Sequence, residues 1–428
     1  MTHTTSYYAA TANPDVRFPQ LTSDITADVA IIGGGFTGVA TALELAERGI
    51  SVVLCEANQI GWGATGRNGG QITGSLSGDK AMECEFRRTL GDKAKDFVWD
   101  LRWRGHDIIR KRVAKYKIDC DLRFGQMQTA LTNGQLTTLN DTYAQGCAHG
   151  MSNDLEMISK ADMPDYLETD LYIGGLLNRK NMHLHSLNFC LGQAQAVVSL
   201  GGKVFENSEV IDIEHGLTPV IRTKHGTVRA DKIMIAGNAY HLLEQKELRG
   251  KLFPASLANM ATAPLSTEDA AAINPHNIAV YDGRFVLDYY RLTADNRVMF
   301  GGGTNYSGRD SQDVARELRP ALERTFPRLK GIEIDYSWSG MDGIILNRIP
   351  QVGRIGSNVF YVQGYSGHGI ALSHILAEII AQRISGESSQ FEVFENCKHW
   401  TLPVGRTLGS MMVALGMAYY TLRDKIER

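Results

Sequence analysis

The sequence predicts an α/β protein built around a parallel βαβ unit, and three observations carry that prediction. Residues 28–56 read DVAIIGGGFTGVATALELAERGISVVLCE, an apolar strand, a glycine-rich turn, a helix and a second strand in succession. A second strand–turn–helix unit stands late in the chain, where VFYVQGY, SGHG and a long apolar run follow one another from Val359 to Ile384. Between them lie many short β-branched stretches separated by glycine turns, too short for helices.

In the first unit, Val29–Ile32 is β-branched and apolar, and Gly33, Gly35 and Gly38 fit G-x-G-x-x-G. The first glycine permits the tight turn, the second lets a pyrophosphate approach the backbone, and the third lets the helix pack closely on its strand. Phe36 and Thr37 open that helix, Val39, Leu43 and Ala46 share one face of it, and Gly49 supplies its stop. The second strand ends on Glu56, 18 residues after Gly38, near the spacing at which an acid accepts hydrogen bonds from an adenosine ribose. A carboxylate there repels a 2′-phosphate, so FAD or NAD is expected rather than NADP. The competing reading is a βαβ unit that holds no nucleotide.

The chain of 428 residues can form two or more domains with substantial cores. A net charge of −3, with Lys and Arg spread along the chain, gives no electrostatic reason to expect nucleic acid. Six cysteines without a C-x-x-C pair read as reduced thiols of a cytoplasmic protein, and no metal site is expected. No signal peptide and no run of about 20 apolar residues is evident, so no membrane span is expected.

Taken in order, Met1–Thr26 reads as an arm packed on the surface. Glycines 61, 63, 66, 69, 70, 74 and 78 mark a loop whose backbone presses against something flat or charged. Lys80–Lys117 reads as helix, with Arg102, Arg104, Arg110, Lys111 and Arg112 as a solvated face. Strand is expected over Leu122–Leu131 and helix over Gln135–His149, then helix again over Leu187–Leu200. Short strands follow at Lys203–Phe205, Val210–Ile213, Val220–Lys224, Val228–Ala230 and Ile233–Ala236, the last running into Gly237. Pro254–Pro264 and Arg284–Tyr290 read as strands, Val298–Phe300 as a strand ending in three glycines, and Asp313–Thr325 as helix. In the late helix, Leu372, Ile375, Leu376, Ile379, Ile380 and Ile384 form a buried stripe. Gly367 and Gly369 around His368 leave its first N–H groups uncovered, a ready site for negative charge. Met411–Leu422 is apolar enough to cap a domain or join two copies, and the oligomeric state stays open.

These pieces, with GWGATGRNGGQ at 61–71, LDYYRLTADNR at 287–297 and YVQGYSGHGIALSH at 361–374, resemble the D-amino-acid-oxidase-like (glycine/sarcosine oxidase) flavoproteins over nearly the whole chain. The resemblance implies a FAD-binding Rossmann-like domain of the glutathione-reductase type (residues 1–85, 175–248 and 338–428). It also implies an interleaved α+β substrate domain (86–174 and 249–337) with an antiparallel sheet. It places Gly33, Gly35 and Gly38 on the pyrophosphate, Glu56 on the ribose, and Ala64 and Thr65 on the diphosphate. Arg67, Asn68, Gly69, Gly70 and Gln71 would line the ribityl and isoalloxazine side, Val210 the adenine, and Gly237 the adenosine half. Gly340, Gly367, His368, Gly369 and Ile370 would meet the flavin. Relatives with covalent flavin carry a cysteine in the segment that here reads Trp338–Met341; none is present, so noncovalent FAD is expected. Asn259–Leu265 and Met341–Ile345 depart from the family on the substrate side.

Flavin oxidation of an amine needs the C–N carbon near the flavin and the amine neutral, so positioning and desolvation can supply most of the catalysis. Tyr289, Tyr290 and Arg291 are the substrate-side candidates; alternation puts Tyr289 and Arg291 on one face, where Arg291 could pair with a carboxylate. The plainer reading is a core tyrosine and a surface arginine. His368 either tunes the flavin or is a hydrogen-bonded turn residue, and His183, His185 and His374 read as structural. Three functions stay open: an oxygen-using oxidase of a gamma-glutamylated or similar primary amine, a dehydrogenase of secondary amines or N-methyl amino acids, and a flavin-binding subunit without catalysis.

Overall fold

The computed structural model describes residues 1–13, 16–241, 243, 245–305, 310–387 and 390–401. The late apolar stretch 411–422 lies outside them. Two sheets organise the chain. In the first, Ile25–Ile32 lies between Val52–Cys55 and Thr227–Ile235, parallel to both, with Ile31 opposite Leu54 on one side and Met234 on the other. Lys203–Phe205 and Val359–Gln363 extend it in parallel, and Gln351–Ile355 closes one edge antiparallel. The inner half of the central strand is fully buried, as expected for a parallel strand covered on both faces.

Phe36–Glu47 and Gly369–Ser385 pack together beside this sheet in the largest core cluster. The late helix is buried nearly all round, from Ile370 through Ile384. Each fully buried Leu or Ile on it contributes about 1.5–3 kcal/mol, so the helix is held by packing rather than propensity.

The second sheet runs in the order Ile334–Ile344, Phe253–Thr262, Val298–Asn305, Tyr289–Leu292, Ala279–Asp282, Arg123–Ala130, Gly174–His183, Gln71–Ile72. Its pairs are antiparallel except that between Ala279–Asp282 and Arg123–Ala130. The expected domain boundaries at 174/175 and 337/338 fall at or within strands of this sheet.

Several local expectations need correction. The N-terminal segment is no surface arm: Tyr7 and Tyr8 begin a short helix and are buried, Tyr8 with its ring edge-on to His185 and Trp338. Val228–Ala230 and Ile233–Ile235 belong to one strand, Thr227–Ile235, because pairing to the central strand continues from Ala230 to Lys232 and Ile233. Arg284 is not in a strand. Its guanidinium bridges Asp282 and Asp288 and closes a loop ahead of Tyr289–Leu292. The triple glycine does not end its strand, since Gly301 leaves room for the Tyr289 ring; a Cβ there would lie 2.2 Å from Tyr289 Cζ. The arginines of residues 80–117 are only partly a solvated face. Arg112 is buried against Glu44 (2.5 Å) and Gln193 (2.8 Å), and Arg104 reaches Glu378 of the late helix (2.5 Å). No helix among the described residues is long and apolar enough to cross a membrane.

Candidate active site

The parallel strands end together, and the residues that follow their carboxyl ends (Gly33, Glu56, Gly237 and Gly367 among them) line one cavity of ≈ 580 Å³. This is where an open α/β sheet binds its ligand. All of the expected cofactor residues line it except Gly38, which sits one layer behind. A Cβ on Gly38 would stand 1.9 Å from Gly33 O, and Gly33 itself has φ +106°, so turn and helix approach only because both lack side chains.

At one end the Glu56 carboxylate accepts Gly34 N–H (2.6 Å) and Asn58 N–H (2.9 Å). Burial raises its pKa, and these two donors work against the rise. Each oxygen keeps a lone pair for a sugar hydroxyl. The helix Phe36–Glu47 begins on Gly35 with no side-chain cap; Thr65 Oγ1 accepts Phe36 N–H at 3.0 Å, and Thr37 bonds the Tyr365 hydroxyl at 2.6 Å. Val210 lines this cavity from a second antiparallel hairpin on the parallel sheet.

The glycine-rich loop is clamped by its own polar residues. Asn68 donates to Ala64 O and Thr65 O and accepts from Gly70 N–H and the Ser186 hydroxyl. Arg67 donates to Trp62 O and Ser339 O and lies over the Trp62 ring at 4.4 Å. Gln71 is anchored to Val280 O, Tyr290 O and Gln126. At the other end, the helix Gly369–Ser385 opens on His368, again without a side-chain cap. Gly367 has φ +97° and open space where a Cβ would stand. His368 Nδ1 is buried without a partner, and burial pushes its imidazole down to about 4, so it is neutral. A carboxylate with free lone pairs, two helix starts whose N-cap residues supply no side-chain cap, and glycines along the cavity wall together fit FAD.

Tyr289 lines the cavity, its hydroxyl donating to Asn259 Oδ1 at 3.0 Å. Tyr290 points to the opposite face, packed against Phe300 and Phe326. Arg291 does not line the cavity. It is 2 % exposed and donates to Gly69 O, Leu292 O, Leu184 O and the Tyr8 hydroxyl at 3.0–3.2 Å. The Gly69–Gly70 backbone stands beside it, which corrects its expected role as a substrate contact. Strand alternation gave the right face but could not show that a loop covers it.

Sequence reasoning did not name Tyr240, Phe285, Asp342 or Arg348 as lining residues, although it expected the stretch Met341–Ile345 on the substrate side. The Tyr240 ring covers Gly63 and its hydroxyl accepts Met341 N–H at 2.7 Å. Its position just past the end of a parallel strand was a usable signal. Asp342 and Arg348 lie in and just beyond the 341–345 stretch that departs from the family. Arg348 stands over the Phe285 ring at 5.7 Å, with no ion-pair partner among the described residues.

The remaining histidines are bound to the frame. His183 Nε2 meets Asn277 O at 2.9 Å, His185 caps the helix Ser186–Ser199, and His374 Nδ1 meets Ile370 O at 2.6 Å. Among the described residues no group of His, Cys, Asp and Glu could hold a metal ion.

Known proteins sharpen this picture. The chain is 42% identical over 427 residues to gamma-glutamylputrescine oxidoreductase of Escherichia coli (strain K12), covering 99% of each chain. Glycine oxidase from Geobacillus kaustophilus shares the fold, with a TM-score of 0.71 at 20% identity, covering 88% of this chain and 99% of that one. L-proline dehydrogenase from P. horikoshii does so at TM-score 0.71 and 19% identity, covering 87% of this chain and 96% of that one. Residues 28–383 match the family described as FAD dependent oxidoreductase. The chain belongs to the DAO family of FAD-dependent oxidoreductases.

Proposed function

We propose that the protein oxidises the primary amine of a gamma-glutamylated aliphatic amine such as gamma-glutamylputrescine. Oxygen and water are consumed, and an aldehyde, ammonia and hydrogen peroxide are produced. The observation that carries this reading is the full-length relative of that name at 42% identity. The cavity lining supports it, since Asp342 and Arg348 share it with Glu56 and neither forms an ion pair among the described residues. The chemistry a bound FAD supplies is hydride acceptance from the carbon beside the nitrogen, leaving an imine that water hydrolyses.

In this reading the parallel sheet with its two uncapped helices is the cofactor unit, and the second sheet is the substrate unit. Glu56 holds the adenosine ribose, and the helix start at Gly369 favours negative charge on the flavin. Tyr289 and Phe285 wall the alkyl stem and exclude water, while Arg348 takes the remote carboxylate. FAD is held noncovalently. Cys55 is the cysteine on the cavity lining, beside Glu56, and burial pushes its thiol up to about 12, so it is a poor nucleophile. All six cysteines are unpaired and four are buried, which supports a reducing, cytoplasmic setting.

The test is anaerobic bleaching of the bound flavin across a panel of amines, followed by admission of oxygen. Gamma-glutamylputrescine should bleach it fastest, and oxygen should restore the colour with release of peroxide. Fast bleaching by secondary amines alone, with slow reoxidation, would favour a dehydrogenase. No bleaching by any amine would leave a flavin-binding subunit. Acid precipitation of the same sample should release FAD into the supernatant.

A further inference from the structure

Three carboxylates line the cavity, and two of them stand with Val210 and the ribose end. The third, Asp342, belongs to the end formed by Gly367 and His368. It is 8 % exposed. One oxygen, Oδ1, accepts the N–H of Gly343 at 2.8 Å, and the carboxylate also meets the N–H of Gly367. The other oxygen, Oδ2, is buried and has no hydrogen-bond partner. A buried carboxylate oxygen without a donor is costly, and on a cavity wall a ligand N–H is one group that can supply it.

Among the described residues none of the neighbouring side chains hydrogen-bonds to Oδ2. His368 is neutral, and its own Nδ1 is unpartnered. The Tyr289 hydroxyl is spent on Asn259, and burial holds that phenol protonated. The Tyr240 hydroxyl accepts Met341 N–H and makes no hydrogen bond to Oδ2. Arg348 acts on Asp342 through its charge but forms no ion pair with it among the described residues. The cavity thus holds an anion and a cation that do not satisfy each other, and a ligand carrying both charges would satisfy both.

Resting on the amine-oxidising reading above, we propose that Asp342 receives the cationic nitrogen of the substrate, so that the enzyme selects amines whose reacting carbon bears no carboxylate. A carboxylate on that carbon would come close to Asp342, where two like charges repel. An α-amino acid is therefore disfavoured by the same group that favours an aliphatic amine. A carboxylate at the far end of the molecule escapes this repulsion and can reach Arg348. With the amine seated, its ammonium donates to Oδ2, which is the acceptor for the proton that must leave before oxidation.

The test compares wild-type holoenzyme with Asp342→Asn, a replacement of the same shape, and with Asp342→Glu, which keeps the charge. FAD content and thermal midpoint report the fold. Anaerobic calorimetry and flavin absorbance report binding of 1,4-diaminobutane, gamma-glutamylputrescine and glycine. Asp342→Asn should keep its FAD and bind both amines about 10- to 150-fold more weakly, the loss of one charge-assisted contact. Glycine binding should improve or stay as it was. Asp342→Glu should recover part of the amine affinity. Unchanged amine binding in a folded, FAD-loaded Asp342→Asn protein overturns the proposal, and so does loss of FAD, which would assign Asp342 to the cofactor. Failure of Asp342→Asn to fold while Asp342→Glu folds and binds amines no better than glycine overturns it too. If the amines bind wild type and not Asp342→Asn, yet none bleaches the flavin, Asp342 stands as the amine anchor and the oxidase reading alone fails.

Discussion

A guanidinium that is 2 % exposed and has four of its five N–H groups on three carbonyls and a phenol is out of a substrate's reach. Arg291 instead ties the glycine-rich loop, through Gly69, to the N-terminal Tyr8 and to Leu184. Arg348 is the opposite case, on the cavity wall over the Phe285 ring and without an ion pair among the described residues. The two arginines should therefore separate in kinetics. Arg291→Ala strands buried carbonyls and should lower unfolding free energy by about 2–5 kcal/mol, impairing all substrates alike. Arg348→Gln should leave stability nearly unchanged and raise KM for gamma-glutamylputrescine by about 10- to 150-fold more than for 1,4-diaminobutane. Chemical denaturation and steady-state kinetics on both variants check this. An Arg348 variant that treats the two amines alike would remove it from carboxylate recognition.

At the scale of elements, two strand–turn–helix units converge on one cavity, and each helix starts without a side-chain cap from its own N-cap residue. In the first, Gly38 lets the helix Phe36–Glu47 cross the turn at Gly33. Gly38→Ala would drive a methyl carbon to 1.9 Å from Gly33 O and 3.3 Å from Ile31, which no rotamer can relieve. The helix must then shift, at a cost of about 1–3 kcal/mol or more. The shift moves Phe36 and Thr37, which line the cavity, and the Phe36 N–H bond to Thr65 Oγ1. The purified variant should carry much less FAD than wild type and unfold at lower urea; full FAD occupancy with an unchanged midpoint would show that the packing there is looser than the geometry implies.

For the whole molecule, the histidines act together. Burial lowers His106 and His368 to about 4 and His183, His185 and His374 to about 3, against an ordinary 6.5. They stay neutral in the fold while the unfolded chain takes up protons below pH 6.5. Their contribution to stability is complete above that pH and is lost as pH falls toward 3–4. Asp342, raised to about 6 by burial, acts in the opposite sense: its contribution is present below about 3.8 and lost as pH rises through 6. Five imidazoles outweigh it, so the thermal midpoint of FAD-free protein should fall steadily from pH 7 to pH 5. A midpoint flat over that range would mean that water reaches these rings.

The sequence by itself determined the parallel unit, the nucleotide fingerprint, the acid at Glu56 and the glycine-rich loop. Each depends on neighbours a few residues away, and such geometry is written in local spacing. Strand alternation likewise separated Tyr289 from Tyr290. Only the tertiary structure decided that Arg291 lies behind Gly69, that Tyr7 and Tyr8 are core, and that Arg112 is a buried partner of Glu44. The same is true of Asp342 and Arg348, which enter one cavity with Tyr240. These assignments depend on which distant segment covers a side chain, and burial by a remote loop leaves no periodic trace in the residues it covers.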